Sequence, residues 1–475
     1  MSKFHSMLSR RDFMKAVGLT GAGLGAASAV SPVFHDVDEF MSSPAAEWKR
    51  PWYVKNREME DPTVELDWSL MYRSDGIWTG QNNPTQDYFL GAEEGAKRRA
   101  AAAAYTANAV QKNQSGLTLR DRALSSGNYM YPISFIGPVS STTPESLGVP
   151  KWQGTPEENS KMLRAAMIHF GAAQVGMAEI TDRVKTKLIR EYDKDASHKK
   201  YMFEDVPVGY EGADKLVFPD KVQLYDFAFT HPLNKEMFRS SPSSDLMSAG
   251  NSMRYSQFSI IQPRVQTFMQ VLGYTCYGYT RPFNGAIPAI ATATLTGLGE
   301  GARNNGAFIS PEFGPCVGLF SLITDLPLEP TPPIDAGMWR FCQTCTKCAD
   351  ECPAQCISKE HEPTWDVPKI YGKEDTTHIP GRKQFWTDGI ACWSYKATIG
   401  GCGACMGTCT FNTDVANIHT VVRATLSTTP IFNSFLWQAD KFFGYGVHED
   451  KEAWWDMSQP TLGFDTAHVT MGKDY

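Results

Sequence analysis

Apolar residues recur at helical intervals from Met162 onward in "TPEENSKMLRAAMIHFGAAQVGMAEIT" (155–181), and Thr155 with Glu158 forms a capping box ahead of them. That pattern predicts an amphipathic helix. A second helix is expected over "YFLGAEEGAKRRAAAAAYTANAVQK" (88–112), which is dominated by strong helix formers. A third is expected from Gln262 to Leu272, running into "LGYTCYGYTRPFN". Between them, "KLVFPDKVQLYDFAFT" (215–230) reads as a strand pair broken at a turn. Alternating helices and strands place the chain in an α/β or α+β class.

Length and charge narrow the function. A chain of 475 residues buries a large core without staples and is long enough for more than one structural unit. Its formal charge of -7 argues against nucleic acid as a partner, because phosphate recognition needs a basic face. The N-terminus "LSRRDFMKAVGLTGAGLGAASAV" pairs Arg10 and Arg11 with Phe13, Lys15 and a short, weakly apolar run. The run is too short to span a bilayer, and the combination is that of a twin-arginine export signal. Residues 1–35 are therefore expected to be a signal peptide, with Ala27 and Ala29 as the small residues before cleavage. Export on this route implies a cofactor acquired before transport.

All eleven cysteines lie in the second half of the chain, nine of them between 342 and 409. Export permits disulfides, but an odd total crowded into one segment of a large chain fits metal better. Cys342, Cys345, Cys348 and Cys352, followed by Pro353, have the C-x2-C-x2-C-x3-C-P spacing of ferredoxins with two 4Fe-4S clusters. Structural zinc sites instead join two separated pairs. Cys392, Cys402, Cys405 and Cys409 supply a second set, its first gap lengthened by an inserted loop. In such runs the fourth thiolate serves the neighbouring cluster. One cage is therefore expected from Cys342, Cys345, Cys348 and Cys409, and the other from Cys352, Cys392, Cys402 and Cys405. Cys356 is left over as a buried free thiol or a competitor for a site.

The upstream region carries weaker signals. Trp52, Tyr53, Trp68, Tyr72 and Trp78 either line a pocket or serve as core and surface anchors. The glycine-rich "TGLGEGARNNG" (296–306) is neither a dinucleotide fingerprint nor a P-loop, and its glycines would let backbone lie against a large flat ligand. No HExxH or GxSxG occurs. "AGNSMRYSQFSI" (249–260) presents Tyr255 just upstream of the third helix, and "RPFN" presents Arg281 and Asn284. A tyrosine donates a proton readily where a neighbouring cation favours the phenolate left behind.

Together "SRRDF", "TGLGEGARNNGAFISPEFGP", "TDLPLEPTPPIDAG" (324–337), "FCQTCTKCADECP" and the cysteine set ending at Cys409 make the chain resemble the respiratory reductive dehalogenases, nearest to those acting on chlorinated ethenes. The resemblance covers nearly the whole chain. It implies an α+β fold in which a nitroreductase-like, cobalamin-binding domain (36–335) precedes a ferredoxin-like domain with two 4Fe-4S clusters (336–420). Residues 421–475 then form a C-terminal extension. No DxHxxG occurs, in keeping with a base-off corrinoid whose cobalt keeps no protein ligand. The resemblance makes Tyr255 the proton donor, with Asn284 as a pocket amide and Arg303 as the basic residue of "GLGExxR". Family members often carry "FGPRVR" where this chain has "FGPCVG" (313–318), so Cys316 and Gly318 replace two arginines. The helper cation is then expected to be Arg303 or Arg281.

The implied activity is reductive dehalogenation of a small organohalide at Co(I), with electrons from a respiratory donor arriving through the clusters. The implied setting is the outer face of the cytoplasmic membrane, with a small integral-membrane anchor subunit as partner and a homodimer as a possible assembly. Trp386, Trp393 and Tyr395 either wall the halocarbon site or cover a cluster. The tail "TTPIFNSFLWQADKFFGYG" either joins the core or docks on the anchor. Two rival readings are a corrinoid and iron-sulfur enzyme resembling epoxyqueuosine reductase, and an exported electron carrier without catalysis.

Overall fold

Thr155 and Glu158 form the expected reciprocal cap: Glu158 N donates to Thr155 Oγ1 at 3.2 Å and Thr155 N to Glu158 Oε2 at 2.8 Å. The helix they open is shorter than the apolar pattern suggested. It runs Pro156–Phe170 and stops at Gly171, whose φ of 112° is a left-handed conformation that suits glycine. The rest of that stretch becomes the strand Gln174–Glu179. The computed structural model describes residues 53–78, 82–117, 133–137, 143–147, 150–194, 196–412, 417–442, 446–457 and 462. The expected signal segment lies outside them.

Four antiparallel strands make the central sheet, in the order Gln174–Glu179, Tyr225–Pro232, Val317–Thr324, Cys276–Tyr277. Register places Phe229 between Val175 and Phe320, and Phe227 between Met177 and Leu322. Because side chains alternate along a strand, these six share one face. They pack on Leu163 and Met167 of the first helix and on Phe258, Ile261, Val265 and Met269 of a long helix, Asp245–Leu272. The last four recur at three- and four-residue intervals, the period that keeps one helix face on a sheet. Each fully buried side chain of this kind contributes about 1.5–3 kcal/mol.

That helix begins seventeen residues before Gln262, where the sequence pattern placed its start. Ser244 caps it by accepting from Met247 N, and Pro263 lies inside it. Tyr255 is consequently in mid-helix and not upstream of one. The strand pair is real, but its members part company. Lys215–Pro219 pairs in parallel with Lys200–Glu204 in a separate three-stranded sheet, while Tyr225–Pro232 is interior to the central one. The alanine-rich stretch divides at Gly91, φ 90°, into helices Asn83–Leu90 and Ala92–Gln111.

The described residues from Tyr53 onward belong to one compact unit. One of its cores joins Val64, Ala302 and Ile309 to Trp339, Phe341, Cys342 and Phe385, so the boundary expected at 335/336 falls inside a shared core. Among the described residues no helix is long and apolar enough to cross a membrane.

Asp226 sits inside the central sheet, bonded to Thr292 and Ser321, and burial pushes its carboxyl up to about 7. A folded value above the unfolded one means that this group favours the fold at low pH and loses that contribution as pH rises from 3.8 to about 7. Asp226→Asn should therefore flatten the fall in stability across that window, as read from urea midpoints at a series of pH values.

Candidate functional site

Short helices and turns carry the thiols. Cys342 lies on Met338–Thr344, which Cys345 terminates, and Cys348 lies on Lys347–Asp350. Cys392 lies on Gly389–Thr398, a helix capped by Asp388, and Cys405 on Ala404–Gly407. None of the eleven cysteines is in a disulfide. A small cavity is lined by five cysteines, Cys342, Cys345, Cys348, Cys405 and Cys409. Burial pushes Cys342 up to about 12, with Cys345 the next cause. Cys348 and Cys409 stand well above the ordinary thiol value through burial, and the thiols nearest them add to it. Cys405 is raised by burial and then by Cys392, Cys402 and Cys352. Cys405, expected in the second set, also acts on Cys348 and lines the first cavity, so the two sets lie close together.

Thiols so buried stay protonated unless a metal displaces their protons. Among the described residues no three His, Cys, Asp or Glu side chains converge closely enough for a single ion. Thiols grouped around one space suit a larger core whose irons take one sulfur each. One donor is in place: Asn304 Nδ2 donates to Cys405 Sγ at 2.7 Å, a contact that favours the thiolate form. Lys347, between Cys345 and Cys348, forms a buried ion pair with Asp440 of the helix Asn433–Phe442.

A cavity of about 540 Å³ adjoins the second set, with Cys392, Cys402 and Cys405 in its wall. Trp68, Met71, Phe308 and Leu319 make much of it apolar, while Gly301, Gly306 and Gly403 present bare backbone. Its charged lining is cationic, from Arg190, Arg254, Arg382 and Lys396, with no carboxylate among the described residues. Burial lowers the pKa values of Arg190 and Arg382, the latter to about 10. His378 also faces the cavity, its Nδ1 held at 2.6 Å by Asp375.

Arg254 Nη2 donates to Tyr255 Oη at 2.9 Å, and its guanidinium lies 4.6 Å from the Tyr255 ring centre. Phe283 and Phe320 meet that ring edge-on. The arginine fills an acceptor position on the phenol oxygen, which leaves the phenol proton available for donation. Sequence reasoning missed Arg254, because adjacent helix residues normally face apart. A trace of it lay in "FGPCVG": a Cβ built on Gly318 would collide with the Cβ of Arg254, so the missing side chain makes the room that Arg254 occupies. Cys316 is buried with Phe238 and Met247.

The other expected site residues are placed elsewhere. Arg303 is fully buried and donates to the carbonyls of Cys342, Cys345, Ser358 and Glu360, with Phe385 under its guanidinium at 3.9 Å. Its hydrogen bonds hold the thiol loop and do not reach Tyr255. Arg281 is exposed and lines no part of the cavity. Asn284 is fully buried, with Nδ2 on Thr280 and its carbonyl accepting from Tyr201, and is likewise absent from the lining. Of the aromatics, Trp68 lines the cavity, Tyr53 is core and Tyr72 is exposed. Trp78 packs edge-on against Tyr88, and Trp52 lies outside the described residues. Trp386 is bonded to Asp375; it, Trp393 and Tyr395 are not in the cavity lining. In the tail, Leu436 and Trp437 join the core near Cys342, whereas Ile431, Phe432 and Phe435 are exposed. Phe443 lies outside the described residues.

Buried thiol sets beside a large apolar cavity, on an antiparallel α+β scaffold, define a redox class of protein. The chain belongs to the reductive dehalogenase subunit family, whose sequence pattern matches residues 49–328. It is 33% identical to the chloroethene reductive dehalogenase of Dehalococcoides mccartyi strain VS, over 98% of this chain and 99% of that one. It is 30% identical to the trichloroethene reductive dehalogenase of Dehalococcoides mccartyi strain 195, over 97% and 98%. A solved reductive dehalogenase, reported to suggest a mechanism for B12-dependent dehalogenation, shares the fold with a TM-score of 0.56 at 17% identity. That match covers 87% of this chain and 55% of that one, so the chain spans about half the length of the solved protein.

Arg303→Gln would strand buried carbonyls and remove the cation beside the thiol loop. Loss of about 1–3 kcal/mol of stability for each carbonyl left unpaired is expected, together, if the thiols hold iron, with a fall in its content. Denaturant titration and iron assay of the purified chain check both.

Proposed function

We propose that the chain reductively dehalogenates a small organohalide, with a chlorinated ethene as the first candidate, and that it does so with a corrinoid in the large cavity and 4Fe-4S clusters on the two thiol sets. The observation that carries this reading is that one cavity is walled both by Cys392, Cys402 and Cys405 and by Arg254, the partner of Tyr255. The second thiol set and the cation bonded to Tyr255 thus share one space, although Tyr255 itself is not among the residues that line it. The names of the relatives point to the substrate class.

The cavity suits a corrinoid in three respects. It is large and mainly apolar, it offers bare glycine backbone to a flat ring, and its cations suit an anionic phosphate tail. When bound, the corrinoid supplies the low-valent metal for cleaving the carbon–halogen bond, and the clusters supply electrons singly. The overall change is R–X plus two electrons and one proton, giving R–H and X⁻. The chain's own part is proton supply and charge. Tyr255 Oη gives the proton to carbon, and the Arg254 guanidinium stabilises the phenolate that remains. Apolar walls keep water from competing for the reactive carbon.

The twin-arginine segment supports export to the outer face of the cytoplasmic membrane. The exposed Ile431, Phe432 and Phe435 offer an apolar face for a small integral-membrane anchor, through which a respiratory donor would deliver electrons. A homodimer is compatible with this arrangement.

Tyr255→Phe should keep its cofactors while turnover falls at least ~100-fold, measured as halide release by the anaerobically purified enzyme; unchanged turnover would remove Tyr255 from the mechanism. Cys345→Ala should lower the iron content from about eight atoms per chain to about four, and an undiminished count refutes the cage assignment.

A further inference from the structure

Cys356 stands outside both sets of four, yet its sulfur is closely engaged with one of them. Its Sγ lies 3.3 Å from Cys352 Sγ and within hydrogen-bonding reach of Cys392. Those two thiols come from distant parts of the chain, and Cys356 meets both. Its position is fixed from two sides. The Cys356 carbonyl accepts from Asp388 N at 2.8 Å, and Asp388 caps the helix that carries Cys392. Its side chain packs with Ala349, Cys352 and Ile357 in a small core of its own.

We propose that Cys356 is a thiol hydrogen-bond donor to the second cage, giving its S–H to the ligating sulfur of Cys352 or Cys392 and so raising the reduction potential of the cluster that faces the large cavity. The inference rests on the cluster reading above and adds a residue to it. Sulfurs bound to different irons of one cubane stand well beyond hydrogen-bond distance from each other. At a separation of 3.3 Å Cys352 and Cys356 do not both ligate, and the C-x2-C-x2-C-x3-C-P spacing gives the ligand's place to Cys352, which leaves Cys356 as the donor. A single S–H serves one acceptor at a time.

The direction of the effect follows from charge. Reduction adds an electron to a cluster whose thiolates share it, and a hydrogen bond to such a sulfur strengthens as its charge grows. The reduced form gains more than the oxidised form, and the potential rises. Because Cys392, Cys402 and Cys405 line the cavity, the cluster affected is the one next to the reacting centre. Cys356 thus tunes the last electron donor before the cavity, while Cys342, Cys345, Cys348 and Cys409 are left unaffected.

The test is an EPR-monitored redox titration of the anaerobically purified, fully loaded chain, with iron counted in the same samples. Cys356→Ala should keep about eight irons. It should lower the potential of one cluster by roughly a tenfold step in its reduction equilibrium, about 59 mV for a one-electron couple, and leave the other cluster unmoved. Cys356→Ser restores a donor and should bring the potential back toward the original, which also covers the case in which the alanine variant folds poorly. Loss of half the iron in the alanine variant would make Cys356 a ligand and overturn the proposal. Unmoved potentials, or equal shifts in both clusters, would overturn it as well. A wild-type chain that binds no iron would instead overturn the cluster reading itself.

Discussion

A buried guanidinium bonded to carbonyls, with no carboxylate partner among the described residues, ties the cysteine segment to the rest of the molecule. Arg303 leaves the glycine-rich stretch and spends its donors on the carbonyls of Cys342, Cys345, Ser358 and Glu360. A cation placed there is costly unless negative charge lies close by. Cys342, Cys348 and Cys345 are the groups that most favour the charged arginine, and as thiolates they would supply that charge. The thiol loop and the arginine therefore need each other. This is also why the core does not break at residue 335.

The large cavity follows from the same arrangement. Once the thiol segments are drawn against residues 301–308, Cys392, Cys402 and Cys405 become its wall on one side, while the long helix brings Arg254 to it on another. Its lining is apolar and cationic. Charge that develops there during a reaction is poorly screened and strongly felt. A phenol held against a guanidinium in that setting is organised to release a proton and tolerate the anion left behind.

The buried pair of Lys347 and Asp440 carries the arrangement into the tail. It links the cysteine run to the helix Asn433–Phe442, which packs Leu436 and Trp437 on the same core and leaves Phe435 outside. The tail is thus both core and surface. Of the two readings that the sequence left open, packing on the core holds for Leu436 and Trp437.

Local chemistry was legible along the chain. The cysteine spacing pointed to thiols that the fold gathers around a small cavity, and Thr155 with Glu158 marked a helix start, because each depends on residues a few positions apart. The start at Asp245 was missed, since Ser244 is a weaker signal than the proline that follows at 263. The fate of Lys215–Pro219 and Tyr225–Pro232 was beyond reach, because partners in other segments decide which sheet a strand joins. Residue type and spacing, set by covalent neighbours, determined the redox chemistry and the family resemblance. Only the tertiary structure decided that Arg303 braces the thiol loop while Arg254 serves Tyr255. A buried charge goes where desolvation, room and hydrogen-bond partners allow, and the room beside Tyr255 exists because Gly318 has no side chain.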